Sequence, residues 1–294
     1  NDIMNERSFI SYVRVIFCKE GFMEAGAFAV TAGNRAFKYG DGVFETALFI
    51  NKKVPLLNYN INRLKKGMAL LGIEEPSNWN LQHFASIITK LCEQSDIENG
   101  RCKITIWRSG EGLYLPVTNT ADCLIEIFPQ ETNPLISKGS PLVLGVYDDY
   151  PKMIHPLSAC KTSNAIPYIL AANYAKQNGF DDVLLLNTND EIADSISSNL
   201  FIVKNNTCYT TSVMNGGVEG TMQAYILANA ASLGIKVDRI PMSISDVMSA
   251  NEVMLTNAIS GIKPVTQFQD VVFKNNFAIE LLGKLKWLLE QDAK

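Results

Sequence analysis

From Asp182 to Thr211 the chain reads DVLLLNTNDEIADSISSNLFIVKNNTCYTT. Short runs rich in apolar and β-branched residues (DVLLLN, EIADS, NLFIV, TCYTT) are set apart by polar stretches, with turns at TND and KNN. Runs of this length bounded by Asn and Asp read as strands, and NLFIV-KNN-TCYTT reads as a hairpin. Similar runs occur at SFISYVRVIF, GVFETALFI, CKITIWR and DCLIEIF in the first half, with NKK as a turn after GVFETALFI. LVLGVY, IKVDRI, EVMLT and KPVTQF follow in the second half. Helical periodicity lies between them: NYNINRLKKGMALLGI ending at Gly72, a helix from about Asn80 to Cys92, one over 164–178, one within GGVEGTMQAYILANAASLG ending at Gly234, and a closing helix from Phe277 to Gln291. The sum is an α+β chain. PQETNPLISKGSP (129–141) has Pro, Gly and polar residues without periodicity and marks a linker. We place a first domain at 1–129, the linker at 130–134 and a second domain, carrying Lys161, at 135–294.

Composition narrows the function classes. At 294 residues, 47% of them hydrophobic, the chain can bury one large core or two smaller ones. A formal net charge of -4 is no footprint for nucleic acid, which needs a basic face. No stretch approaches the roughly 20 apolar residues of a membrane span, and SFISYVRVIF, broken by Arg14, reads as a strand rather than a signal peptide. Six irregularly spaced cysteines with no CxxC pair imply free thiols and a reducing, cytoplasmic compartment. With only His83 and His155, a histidine-rich metal site is excluded and no metal is expected. Chemistry must rest on Lys, Arg, Tyr, carboxylates or a cofactor.

The stretch ACKTSNAIPYILAANYAKQNGF (159–180) places a lysine just ahead of a helix. Ser163 or Asn164 would cap that helix, Pro167 suits its first turn, Ile166, Ile169, Leu170 and Tyr174 form an apolar face, and Gly179 stops it. A helix N-terminus disfavours an ammonium. Lys161 there, partly desolvated, would have a lowered pKa and act as nucleophile or base, or form a Schiff base. Taken alone, a surface lysine is far commoner. GGVEGTM opens a helix whose first N–H groups, at Gly220, Thr221 and Met222, suit a phosphate, although an ordinary capped loop is commoner. Arg63 in NINRLKKGM could grip a phosphate bidentately, against the commoner reading of a solvated basic face. Asp194 in EIADSISSN is either a turn residue or a carboxylate kept ionised beside a pyridine nitrogen. Together these are the parts of a pyridoxal phosphate site.

In order along about residues 30–270, the segments NRAFKYGDGVFETALF, NINRL, ACKTSN, GFDDVLLLN, IADSISSNLFIV, YTT, VEGTM and EVMLTNAISGIKPV resemble the class IV aminotransferase family, the fold type IV pyridoxal phosphate enzymes. The resemblance implies two α+β domains with the cofactor, pyridoxal 5'-phosphate, between them, and a homodimer acting on a small amino substrate. It matches Lys161 to the lysine that bonds the cofactor and shuttles the proton. It matches Arg63 to the phosphate arginine, Thr221 and Met222 to the backbone donors that hold the phosphate, and Ala258 and Ile259 to a loop near phosphate and substrate. Phe44 and Arg108 are further substrate candidates. The chain departs from the family at Asp194, where glutamate is usual, at Ala258, where a hydroxyl is common, and at Asn60, where histidine is common. SGEGLYLP after Arg108 lacks the Arg and His by which D-amino acid aminotransferases grip a carboxylate. CKTSN has asparagine three after the lysine, as in the lyase and D-amino acid branches, EGTM and TNAI look most like the 4-amino-4-deoxychorismate lyase branch, and VFET looks more like the transaminases. Elimination has less need of a protonated ring nitrogen, which accommodates Asp194. The balance favours the lyase, with an aminotransferase (branched-chain-like amino acid or amine donor) as the alternative and a non-catalytic cofactor-binding relative as the third reading.

Overall fold

The computed structural model describes residues 14–19, 21–130 and 142–292. Residues 8–13 of the first expected strand and almost all of the expected linker lie outside them. The chain divides into two units. Among the described residues the first unit takes those up to 130 together with Lys161–Asn164, and the second takes 142–160 and Ala165–Asp292. Lys161 therefore stands with the first unit, whereas its place in the sequence had put it with the second.

The first unit is an antiparallel sheet of β1 (Val15–Cys18), β2 (Gly21–Glu24), β3 (Gly42–Phe49), β4 (Gly100–Arg108) and β5 (Ala121–Pro129), in the order β2-β1-β5-β4-β3. Helices α2 (Leu57–Leu71) and α3 (Leu81–Ser95) bury Ile61, Leu64, Met68, Phe84, Ile88 and Leu91 in one core with Ile104, Ile106, Ile125 and Ile127 from alternate positions of β4 and β5, while α1 (Arg35–Tyr39) precedes β3. Alternation puts one face of each strand in the core. The turn after β3 places Asn51 and Lys52 at positive φ, the pair of left-handed residues that a tight hairpin turn requires.

The second unit holds two five-stranded sheets. One orders β11 (Lys236–Arg239), β10 (Thr207–Thr210), β9 (Asn199–Lys204), β12 (Glu252–Asn257) and β13 (Gly261–Val265). The other orders β15 (Val271–Val272), β14 (Gln267–Phe268), β6 (Val143–Lys152), β7 (Asp182–Asn187) and β8 (Ile192–Ser195). KPVTQF reads as one strand but is two. At Thr266 the chain leaves one sheet for the other, and the Thr266 N–H donates to the Leu142 carbonyl. Leu144, Leu184, Ile192, Leu200, Ile202, Val253, Leu255 and Phe268 share one core. The expected hairpin at KNN is present, with Asn205 and Asn206 both at positive φ. Helices α4 (Ile166–Asn178), α5 (Thr221–Ala228), α6 (Ala230–Leu233), α7 (Ile244–Met248) and α8 (Asn276–Asp292) complete the unit, and GGVEGTMQAYILANAASLG is thus two helices broken at Asn229.

Of the expected apolar face of α4, Tyr174 packs inward, beside Tyr147, and the other three residues do not. Ile166, Ile169 and Leu170 are 60%, 52% and 41% exposed, and the helix instead packs Ala171 and Ala175 against Tyr147, Val183 and Leu185. Small side chains let the helix approach the sheet closely, and bulk in the sequence pointed to the opposite side. Neither Ser163 nor Asn164 caps α4: its N-cap is Ala165, which makes no side-chain cap bond. All six cysteines are unpaired and buried, and burial pushes the thiols of Cys92 and Cys123 up to about 12. Among the described residues no helix is long and apolar enough to cross a membrane.

Candidate active site

In the first unit Lys161 is fixed through its backbone. Its carbonyl accepts from the Phe44 N–H at 2.9 Å, Thr162 bridges Val43, and the Ser163 N–H donates to the Gly42 carbonyl. Lys161 thus extends the edge of the sheet beside β3 and does not lie in the first turn of α4, which starts at Ile166. The helix-dipole argument for a reactive amine falls with that geometry. The Lys161 ammonium lies 4.9 Å from the centroid of the Phe44 ring, and that of Lys103, on β4, lies 5.6 Å from it. A ring face attracts an ammonium. Lys103 went unnoticed in the sequence, where it is one of several lysines in alternating strands.

Arg63 is not on a solvated face. It is 9% exposed, and its Nε and Nη2 donate to the two oxygens of Glu45, at 2.6 and 2.7 Å. Glu45 is 1% exposed and also accepts from Asn60 Nδ2 at 2.8 Å. Asn60 therefore supports the acid that supports the arginine. Arg108 is equally buried, and its guanidinium holds structure together. It donates to Asp41, to the carbonyls of Leu71 and Gly72, and to Asn119. Those bonds leave it a poor grip for a substrate. Burial alone would raise Asp41, but hydrogen bonds from Arg108 and Arg35 overcome it and hold the carboxyl below its usual range. Arg35 further donates to the carbonyls of Gly112 and Leu113.

In the second unit Asp194 lies on β8 and is 3% exposed. Its Oδ2 accepts from Lys152 Nζ at 2.8 Å, Tyr168 Oη at 3.0 Å and the Val218 N–H at 3.1 Å. Its Oδ1 is buried and has no hydrogen-bond partner among the described residues. Neither Lys152 nor Tyr168 is marked in the sequence: β6 continues past LVLGVY to Lys152, and Tyr168 lies in the first turn of α4. The neighbouring acid Asp182 accepts from the Ile196 and Val183 N–H groups and from Ser195 Oγ, and burial raises it to about 6.

The loop entering α5 comes close to β8 and β9. A Cβ on Gly217 would stand 2.2 Å from the Ala193 carbonyl oxygen, and one on Gly220 would stand 1.7 Å from Asn199 Oδ1. Asn199 is pinned by its own bond to the Val218 carbonyl, so it cannot yield. Gly220 caps α5 without a side-chain bond, leaving the helix end open to a ligand. Thr221 and Met222 are buried there, and Thr221 Oγ1 has no partner among the described residues. Beyond β12, Asn257 Oδ1 accepts from the Ile259 and Ser260 N–H groups, which shapes the turn at Ala258 and fixes Ile259 by its backbone.

Residues 42–268 match the family model described as amino-transferase class IV. The chain belongs to the class IV aminotransferase family. It is accordingly a pyridoxal phosphate enzyme, a lyase or an aminotransferase, with the α+β fold of type IV. Among similar class IV proteins, the aminodeoxychorismate lyase of Bacillus subtilis is 24% identical over 290 residues, 95% of each chain. That of Vibrio harveyi is 26% identical over 260 residues, 87% of this chain and 92% of its own. The branched-chain aminotransferase of Thermoproteus uzoniensis superposes with a TM-score of 0.85 at 17% identity over 96% of each chain.

The residues of this class IV chain fit its cofactor. A buried carboxylate oxygen without a partner suits the N–H of a pyridinium ring, since such an orphan is costly unless a ligand meets it. An uncapped helix end with an unpartnered buried threonine hydroxyl suits a phosphate.

Proposed function

We propose that the protein is a 4-amino-4-deoxychorismate lyase, releasing pyruvate and leaving 4-aminobenzoate. The observation that carries this reading is the Lys103 ammonium, which shares the ring of Phe44 with Lys161 and stays charged when Lys161 is taken up by the cofactor. A substrate with a carboxylate remote from its amino carbon finds a counter-charge there, shared with Glu126 opposite Lys103 on β5, whereas a branched apolar side chain draws nothing from that charge. The two aminodeoxychorismate lyase relatives support the same choice.

Pyridoxal phosphate supplies the electron sink that makes a proton on the amino carbon acidic. Lys161 would hold the cofactor covalently and, as the free amine, would remove that proton as general base. Asp194 would offer Oδ1 to the ring nitrogen. Arg63 and the backbone N–H groups of Thr221 and Met222 would hold the phosphate, Ala258 adding no hydroxyl to them. Phe44 and Ile259 would serve the substrate. Aromatisation of the substrate ring drives loss of pyruvate.

The test gives the yellow, cofactor-loaded protein aminodeoxychorismate and, separately, a panel of L- and D-amino acids. Pyruvate and 4-aminobenzoate should appear together in equal amounts, and Lys103→Met should raise KM about 10-fold or more with a smaller effect on kcat. Fast conversion of an amino acid to its keto acid with no pyruvate from aminodeoxychorismate would establish the aminotransferase reading instead.

We further infer a cytoplasmic homodimer. Six unpaired thiols agree with a reducing compartment, and the exposed Ile166, Ile169 and Leu170 form an apolar face suited to a second copy of the chain. Ile169→Lys should weaken self-association at least about 10-fold in sedimentation, given roughly 1.5–3 kcal/mol for a buried isoleucine. A wild-type protein that sediments only as a monomer removes the dimer.

A further inference from the structure

We infer that Lys152 is a positioning residue for Asp194: it keeps the buried acid ionised and leaves only Oδ1 to meet the cofactor ring. The inference rests on the pyridoxal phosphate reading and goes beyond it. Three donors converge on Asp194 Oδ2, namely Lys152 Nζ, Tyr168 Oη and the Val218 N–H. Lys152 is itself 8% exposed, bonds Tyr168 Oη at 2.5 Å, and lies 4.7 Å from the centroid of the Tyr168 ring. β6 carries Lys152, α4 carries Tyr168 and β8 carries Asp194, so three elements of one unit fix this cluster.

Consider the single proton shared between Asp194 Oδ1 and the ring nitrogen. It can lie on the nitrogen, giving a carboxylate beside a pyridinium, or on the acid, giving two neutral groups. Burial favours the neutral arrangement, because desolvation penalises each charge. A fixed ammonium 2.8 Å from the carboxylate reverses that preference. It bonds Oδ2 directly, and a ring nitrogen meeting Oδ1 would lie farther from it than the carboxylate does, so attraction would exceed repulsion. Lys152 thereby holds the proton on the ring. A carboxylate one methylene shorter than glutamate becomes an effective partner through this backing. The shortness of Asp194 then ceases to favour elimination, and Lys103 is left to carry that choice.

The experiment reads the proton directly. Holoenzyme is reconstituted with cofactor carrying 15N at the ring nitrogen, and its chemical shift is compared with free cofactor imine in acid and in alkali. Wild type should lie near the acid reference. Lys152→Met and Lys152→Gln should move the signal more than half-way to the alkaline one. Lys152→Arg should restore it, and Tyr168→Phe should move it less in the same direction. The methionine variant risks misfolding, but the glutamine variant keeps a donor while removing the charge, so whichever folds decides. A wild-type shift in a folded, yellow Lys152→Met or Lys152→Gln protein overturns the inference and leaves the cofactor reading intact. A wild-type protein that forms no borohydride-fixable bond at Lys161 removes the cofactor reading, and this inference with it.

Discussion

Replacing Lys161 by alanine should reduce turnover by at least about 10⁴-fold and leave the fold nearly unchanged. General-base catalysis alone is worth about 10²–10⁴ in rate, and the variant also loses the covalent hold on the cofactor. The structure separates these losses from stability. Strand β3 is paired by the Lys161 carbonyl and the Ser163 N–H, both backbone groups that alanine keeps. The contacts of the side chain include the Phe44 ring, worth about 0.5–1 kcal/mol at a partly buried site. Denaturation midpoints should shift by about 2 kcal/mol or less, as for most single substitutions, while borohydride no longer fixes cofactor to the chain. Turnover within 10-fold of wild type would show that another group takes the proton. A loss of several kcal/mol would show that Lys161 is a structural residue.

What the sequence reveals here is local, and what it conceals depends on contacts between distant residues. Gly72, Gly179 and Gly234 end helices because each takes a left-handed conformation, and Asn205–Asn206 turns a hairpin for the same reason. Those signals lie within a few residues of the structure they determine. The orientation of α4 does not, since Ala171 and Ala175 face the sheet only because Tyr147, Val183 and Leu185 come from elsewhere. Lys161 looked like a helix-end residue by its neighbours in the chain, yet its conformation is set by Gly42 and Phe44. Arg63 reads as a phosphate grip or part of a solvated face, and Arg108 as a substrate candidate, because the acids and carbonyls that engage them are scattered along the sequence. Lys152 carries no local mark at all. The family motifs named Asp194, but its aim and ionisation belong to residues 42 and 26 positions away.

The pairing of Arg63 with Glu45 separates two roles that a single substitution would confuse. Arg63→Met should destabilise the protein by about 3–5 kcal/mol, because it leaves a carboxylate that is 1% exposed with Asn60 as its remaining side-chain donor. The same substitution should weaken cofactor binding about 10- to 150-fold, the worth of a charge-assisted contact to phosphate. Glu45→Gln in the Arg63→Met background removes the orphaned charge and keeps an oxygen for Asn60 Nδ2. The double variant should recover most of the stability and none of the cofactor affinity. Denaturant midpoints of the cofactor-free proteins read the first effect, and equilibrium titration with pyridoxal phosphate reads the second. A single variant within about 1 kcal/mol of wild type would mean that water reaches Glu45 and the pair is not a buried one. Full return of cofactor affinity in the double variant would mean that Arg63 serves Glu45 alone, and that the phosphate rests on the Thr221 end of α5 without it.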